Sequence, residues 1–330
     1  MRRMIPILLL AALAACGAPA RLAPSAPPLP ADATLATIPV GTPPTFLAIS
    51  PDGSRVFAAS ASQLVVVRTD TNAVAGTATI PPYTNAVAVT PDGRRVLSIG
   101  VRGASVTVVD AATAQVLKPL PLILGINPGG FGRMAATPDG ASVWVTNQPK
   151  EYVAIAPLSG GTAVESLLDM RPTDVTFTPD GRSVYLTGCR DFCSTGTIEQ
   201  LDVASRNVVR RLTTGPSPYR FALSPDGTRG YTTNLAAPSL SILDLGSGSV
   251  VATVPVGVEP TGLAVSPDGK RVYVASQTAG TLAVVDAQAG TVLRTHQMPS
   301  QPREVVVSPD GRRVYVSVRR AVLVLDGGAL

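Results

Sequence analysis

The chain has 330 residues and a mild formal net charge of +5, with 45% apolar and 15% charged residues. This much apolar sequence excludes a disordered protein. The sequence has no basic run of the kind that lines a nucleic-acid-binding surface, so we expect no nucleic-acid partner. Domain-size statistics would suggest about two domains, but an internal repeat predicts one body instead.

The N-terminal segment predicts export. Two arginines precede an apolar run, residues 4–15, that is too short to span a bilayer and has the layout of a secretory signal peptide. The end of this run, LAAC at residues 13–16, resembles the lipobox of bacterial lipoproteins. The resemblance implies that residues 1–15 are removed and that Cys16 receives the lipid. An ordinary cleaved signal with an unrelated cysteine is the alternative.

The same resemblance implies a location. Acyl chains on one cysteine meet the two-anchor requirement for stable membrane attachment. Gly17 stands where the retention aspartate of the lipoprotein family would be. We therefore expect the protein in the cell envelope, anchored to the outer membrane on its periplasmic or surface face. Residues 16–33 form the lipidated cysteine and a tether, whose five prolines predict a semi-rigid polyproline segment.

An eleven-residue unit recurs seven times along the rest of the chain. One copy is SPDGKRVYVAS at 266–276, and the PDG aspartates are Asp52, Asp92, Asp139, Asp180, Asp226, Asp268 and Asp310. They are 40 to 47 residues apart. A period in the forties with several short strands per unit is typical of a β-propeller.

One unit contains the elements of a whole blade. Residues 261–266, 271–276, 281–286 and 291–296 read as four strands. The PDG turn joins the first two, because proline presets φ and glycine accepts the positive φ of a hairpin loop. Each repeat therefore predicts one four-stranded antiparallel blade.

The two ends of the repeat region predict how the ring closes. The last unit stops after its third strand, residues 321–326. The missing fourth strand has its match at the other end, since LATIPVG at 35–41 resembles VATVPVG at 251–257. The sequence therefore predicts an all-β fold over residues 34–330, a monomeric seven-bladed propeller that the N-terminal strand closes.

One repeat carries a family resemblance. VWVTN at 143–147, after its TPDG turn, resembles the YVTN-type β-propeller repeat of bacterial and archaeal exported and surface-layer proteins. The likeness covers roughly residues 34–326 and implies the fold. It implies little about activity, because propellers host many functions.

Two repeated columns predict structural roles. We expect each PDG aspartate to hold its own turn rather than to bind a metal, because neighbouring blades keep these turns apart. A second column predicts packing between blades, with tyrosine hydroxyls finding backbone partners. Its members are Phe57, Leu97, Trp144, Tyr185, Tyr231, Tyr273 and Tyr315.

Function is expected where the blades differ. The long entry at 119–134, the loop at 188–196 and the residue six before each PDG aspartate all fall on the face opposite the PDG turns, here called the loop face. An arginine and aromatic cluster on a concave mouth predicts a ligand or partner site, with a merely solvated, salt-bridged rim as the alternative. The predicted binding residues are Tyr83, Phe131, Arg133, Asp174, Arg190, Phe192, Tyr219, Arg220 and Glu304. As rim residues, Arg133 and Arg220 should be replaceable by alanine with the melting temperature nearly unchanged.

The remaining chemistry favours binding over catalysis. Export predicts a Cys189–Cys193 disulfide, which would shape the 188–196 loop. No catalytic residue, metal or cofactor is predicted, because metal-ligand spacings and nucleophile motifs are missing and the single histidine, His296, reads as a surface residue. The sequence therefore predicts a lipid-anchored protein that binds a small molecule or an envelope partner. A hydrolase resembling the lactonase-type propellers is the alternative.

Overall fold

The computed structural model of the chain describes residues 26–30, 32–100, 105–122, 132–190 and 193–330. Within these ranges the protein is all-β, with 28 strands in seven four-stranded antiparallel sheets and no α-helix. In the same ranges there is no helix with the length and apolarity needed to cross a membrane. The predicted seven-bladed β-propeller is confirmed.

The strands follow the repeat. Strand β1 (Thr34–Pro39) belongs to the last blade. Blade 1 contains β2 (Phe46–Ile49), β3 (Arg55–Ala59), β4 (Gln63–Arg68) and β5 (Ala73–Thr79). Blade 2 contains β6 (Thr84–Val89), β7 (Arg95–Gly100), β8 (Ser105–Asp110) and β9 (Leu120–Pro121). Blade 3 contains β10 (Met134–Ala136), β11 (Ser142–Asn147), β12 (Tyr152–Pro157) and β13 (Val164–Leu167).

The second half of the ring continues the pattern. Blade 4 contains β14 (Arg171–Phe177), β15 (Ser183–Cys189), β16 (Gly196–Asp202) and β17 (Val208–Thr214). Blade 5 contains β18 (Pro218–Leu223), β19 (Arg229–Asn234), β20 (Ser239–Asp244) and β21 (Ser249–Pro255). Blade 6 contains β22 (Pro260–Val265), β23 (Arg271–Ser276), β24 (Thr281–Asp286) and β25 (Thr291–Gln297). Blade 7 contains β26 (Val305–Val307), β27 (Arg313–Val318) and β28 (Ala321–Asp326), with β1 as its outer strand.

The ring closes through the N-terminal strand, as predicted. Strand β1 pairs antiparallel with β28, in a register that places Thr37 opposite Leu323 and Ile38 opposite Val322. Ile38 is buried between blades 7 and 1. The outer edge of β28 is therefore covered by paired strand rather than exposed.

The PDG turns have the local role that the sequence predicts. In blade 1 the Asp52 carboxylate accepts hydrogen bonds from the Ser50 hydroxyl at 2.5 Å and from the Ser54 backbone N–H at 3.0 Å. The Ser50 hydroxyl, followed by the Ser54 N–H, lowers the pKa of Asp52 to about 2. The other six PDG aspartates accept the same bond from the residue two positions later. In the described part of the chain, no group of three His, Cys, Asp or Glu residues is arranged to hold a metal ion.

The blades pack through the predicted column. All seven of its side chains are buried, and Trp144 meets Phe177 of blade 4 edge-on with the ring centroids 5.5 Å apart. The expected backbone partner is absent at Tyr315, whose hydroxyl is buried without a hydrogen-bond partner among the described residues. Burial raises the pKa of Tyr315 accordingly.

A set of arginines bridges neighbouring blades on the PDG face, and the sequence interpretation missed it. Each is the first residue of a second strand and donates from Nη1 to a carbonyl of the next blade. Arg95 reaches Leu158 at 3.2 Å, Arg271 reaches Gly327 at 2.5 Å, and Arg313 reaches Thr69 across the closing seam. Blade 4 has Ser183 at this position, and Arg210 of its outer strand donates instead to Leu245 at 2.7 Å. The recurring arginine three residues after the PDG aspartate was the available signal.

Candidate functional site

Two charges from opposite sides of the ring meet in the central channel. Arg133, just before the first strand of blade 3, donates from Nη1 to Oε2 of Glu304 of blade 7 at 3.0 Å. Only 11% of the Arg133 side chain and 1% of the Glu304 side chain is exposed. The two residues are 171 positions apart in sequence, so only the closed ring brings them together.

Two further charges extend this pair into a network. Arg220 of blade 5 places Nη2 at 3.1 Å from Oε1 of Glu304 and Nη1 at 3.4 Å from the Asp174 carboxylate of blade 4. Asp174 also accepts a hydrogen bond from the Phe221 backbone N–H at 2.9 Å. The channel network, defined as Arg133, Asp174, Arg220 and Glu304, holds two positive and two negative charges and links four blades.

The backbone positions these side chains in a repeated way. The N–H of Arg133 donates to the Thr146 hydroxyl at 2.8 Å, and the N–H of Glu304 donates to the Ser317 hydroxyl at 2.9 Å. In blade 5, a bulge between Pro218 and Phe221 breaks the register of β18 around Arg220. Such bulges redirect side chains. In blades 3 and 7, a hydroxyl on the second strand therefore holds the backbone N–H of the residue whose charged side chain lies in the channel.

The depth of the network differs from the rim that the sequence suggested. Asp174 is 4% exposed and Glu304 is 1% exposed. A buried charge that loses its partner is strongly destabilising. Against the sequence-based expectation of a nearly unchanged melting temperature, the structure therefore leads us to expect that Arg133→Ala with Arg220→Ala lowers it, because the change would leave two buried carboxylates without their ion-pair partners.

A cavity of about 320 Å³ opens on the loop face next to the network. Blades 1 to 5 contribute to its wall, which carries two aromatic rings, the 189–193 disulfide and several small or amide side chains. The lining residues are Phe46, Asn85, Gly132, Arg133, Gln148, Thr173, Cys189, Cys193, Ser217, Pro218, Tyr219 and Leu235. The sequence interpretation named four of them, Arg133, Tyr219, Cys189 and Cys193. Phe46 stands at the same position as Arg133, six residues before its PDG aspartate, and the remaining lining residues lie in loops and strand ends without a distinguishing sequence pattern.

Arg133 connects the channel network to the cavity. Its Cζ atom lies 4.7 Å from the centroid of the Phe46 ring and 5.4 Å from that of Tyr219, so two aromatic rings flank the guanidinium. Burial opposes the charged form, but Glu304, Tyr219 and Asp174 together outweigh it, and the pKa of Arg133 is raised above its ordinary value. Among the described residues, the guanidinium donates one hydrogen bond, to Glu304. Its remaining N–H groups can donate hydrogen bonds to an acceptor atom of a ligand in the cavity.

The other predicted binding residues lie apart from the channel network. Tyr83 is 65% exposed on the loop face, with a left-handed backbone (φ 58°), and is outside the cavity wall. Arg190 pairs instead with Asp169 at 2.7 Å and with buried Glu199 at 3.6 Å. Arg211 completes that second cluster through Glu199 at 2.8 Å. Phe131 and Phe192, like Cys16 and the signal segment, lie outside the described residues.

The structure also places the two predicted disulfide cysteines and the single histidine. Cys189 and Cys193 form a disulfide, with Cα atoms 5.0 Å apart, in the cavity wall. His296 is not a surface residue, because only 4% of it is exposed. Pro27 and Pro28 of the predicted tether lie against its strand, where Pro27 accepts a hydrogen bond from the Gln297 N–H at 2.7 Å. Burial and nearby Arg294 lower the pKa of His296.

Comparisons with known proteins agree on the architecture. The model of a family described as YNCE-like beta-propeller matches residues 171–313. No curated protein matches the chain. Among solved structures, Kuenenia stuttgartiensis hydrazine synthase is similar with a TM-score of 0.74 and 20% identity, covering 88% of this chain and 97% of that one. The Cps50 (Swd1) β-propeller domain of Myceliophteria thermophila is similar with a TM-score of 0.73 and 12% identity, covering 89% and 98%. At these identities the structural likenesses show a shared propeller fold.

Proposed function

We propose that the protein is a lipid-anchored binding protein of the cell envelope, which captures its ligand in the cavity beside Arg133. The observation that carries the proposal is the Arg133 guanidinium in the cavity wall. Phe46 and Tyr219 flank it, and some of its N–H groups are not used in the hydrogen bond to Glu304. Pockets that combine an apolar wall with a few fixed polar groups are the usual form of small-ligand sites.

The cavity favours a particular kind of ligand. Its wall is mostly apolar, and Gln148 adds an amide to the donors of Arg133. Because the channel network already balances its own charges, a ligand needs an apolar body and a hydrogen-bond acceptor rather than a large charge. A cavity of about 320 Å³ accepts a small molecule or one projecting side chain of an envelope partner.

Tyr219→Ala is expected to weaken capture by about 2 kcal/mol or more, the size of one binding hot spot. The residue lines the cavity but is not a member of the channel network, so the melting temperature should change little. The measurement is mass spectrometry of the small molecules and proteins that co-purify from envelope extract of the source organism. A small molecule or protein that co-purifies with the wild type and is lost with Tyr219→Ala identifies the kind of ligand that the cavity binds.

Tyr83→Ala is the matched control, because Tyr83 lies on the same face outside the cavity. It should retain the co-purifying species. Retention by Tyr219→Ala, together with loss when PDG-face residues such as Arg182 are changed, would place binding on the wrong side of the ring and refute the proposal.

The lipid anchor is the second part of the proposal and is supported by the LAAC order at residues 13–16. Metabolic labelling with a palmitate analogue should mark the protein, and Cys16→Ser should abolish the label. Unchanged labelling of that variant would refute the lipid anchor at Cys16. Since the Pro27 carbonyl is hydrogen-bonded to blade 6, only ten residues lie between it and Cys16, and the eleven Cα-to-Cα steps limit the span to roughly 36–40 Å.

A further inference from the structure

A second cavity lies on the loop face, where blade 7 meets blade 1. Its volume is about 530 Å³, and it is separate from the cavity beside Arg133 because the two share no lining residue. Pro43 and Pro44 form the blade 1 side, while Arg303, Arg319 and Ser300 are on the other side. The proline pair restricts backbone motion on one wall.

The arginines of this cavity are unpaired. Among the described residues, neither Arg303 nor Arg319 lies within ion-pair distance of a carboxylate. Glu304 follows Arg303 directly but is engaged by Arg133 and Arg220 in the channel. The cavity therefore carries uncompensated positive charge, in contrast to the neutral channel network.

The β27–β28 turn forms part of this side of the cavity. Arg320, the neighbour of Arg319 in that turn, does not line the cavity and has a left-handed backbone (φ 62°), where blade 6 uses Gly280 (φ 67°). A charged side chain thus occupies a backbone conformation that glycine adopts without steric cost. The Ser300 hydroxyl accepts a hydrogen bond from the Arg319 N–H at 3.0 Å, so its own proton can be donated to a ligand.

We propose that this cavity, lined by Arg303, Arg319 and Ser300, binds a phosphate group. Guanidinium groups present forked N–H donors that match phosphate oxygens. Two arginines can balance the double negative charge of a phosphate monoester or attract the single negative charge of a phosphodiester headgroup, and the serine hydroxyl supplies a further donor. The group belongs either to a soluble phosphorylated molecule or to the headgroup of an anionic lipid, and the inference does not depend on the cavity beside Arg133.

The test uses the full chain carrying Cys16→Ser, which removes lipid attachment from every sample. Inorganic phosphate is titrated calorimetrically, and flotation measures binding to vesicles of phosphatidylglycerol and of phosphatidylcholine. Arg303→Gln with Arg319→Gln should weaken phosphate or phosphatidylglycerol binding at least tenfold. The matched control is Arg182→Gln with Arg312→Gln, which removes the same charge from exposed positions on the PDG face.

Each outcome decides the proposal. Arg303- and Arg319-dependent binding of free phosphate supports a soluble ligand. The same dependence for phosphatidylglycerol vesicles alone supports a lipid headgroup. Equal losses of binding affinity in the two double variants would show that only the total positive charge matters, and would overturn the proposed site. No binding to either probe, or binding that survives Arg303→Gln with Arg319→Gln, would also overturn it.

Discussion

Glu304→Gln should lower the free energy of unfolding by about 3–5 kcal/mol, the usual cost of breaking a buried ion pair from one side. Glu304 is 1% exposed and contacts both Arg133 and Arg220, so the neutral amide leaves buried guanidinium charge without its partner. The measurement is chemical denaturation of the wild type and the variant, followed by a probe of the β-sheet.

A paired variant separates lost charge from lost packing. Arg133→Leu with Glu304→Leu removes one positive and one negative charge and retains the pair of Arg220 with Asp174. Replacing a whole buried ion pair by apolar side chains is often neutral, so this variant should be more stable than Glu304→Gln. If the losses of Arg133→Leu and Glu304→Leu, measured singly, add up to that of the double variant, or if Glu304→Gln is as stable as wild type, the network is solvated rather than coupled.

Deleting residues 33–41 should lower the melting temperature by on the order of 10 °C, because several kcal/mol are lost at about 2–4 °C per kcal/mol for a domain of this size class. The deletion removes β1 and exposes the unpaired edge of β28. Exposed edges pair with other chains, so the truncated protein should also form oligomers in size-exclusion chromatography. A truncated protein that melts as the full chain does would contradict the closure.

Two point variants of β1 sharpen this test. Ile38 is 2% exposed and Leu35 is 49% exposed on the same strand. Ile38→Ala should cost about 2–5 kcal/mol, as truncation of a buried aliphatic side chain does. Leu35→Ala should stay within about 0.5 kcal/mol of wild type. Equal effects would mean that β1 does not pack between blades 7 and 1 as described.

The fold could be predicted because its determinants are local and repeated. The PDG turn fixes the hairpin of β22 and β23 within five residues, and the bounds of β23 and β24 agree with those read from the sequence. The closing strand was found because 35–41 repeats a pattern that blade 5 shows at 251–257. Seven copies of one local rule leave few alternative arrangements.

The site was only partly predictable, because its partners depend on the closed ring. The position six before each PDG aspartate identified the four charges of the channel network, but not which of them would pair. Burial was underestimated, since channel depth is set by seven innermost strands together. Arg190 was predicted to bind the ligand but pairs with Asp169 and Glu199 instead, and nothing in its loop sequence indicates these partners.

Closure by β1 has a consequence for folding order. The strand made earliest in the propeller pairs with the one made last, since Thr34 lies opposite Leu325. At about 5–20 residues per second, synthesis of the roughly 290 residues between them takes on the order of 15–60 s. Until β28 emerges, β1 has no native partner, and the apolar side chains of Ile38 in β1 and of Val40 just after it are available to chaperones, to proteases or to the unfinished edges of other chains. The first strand of the propeller can therefore dock only after the last one is available.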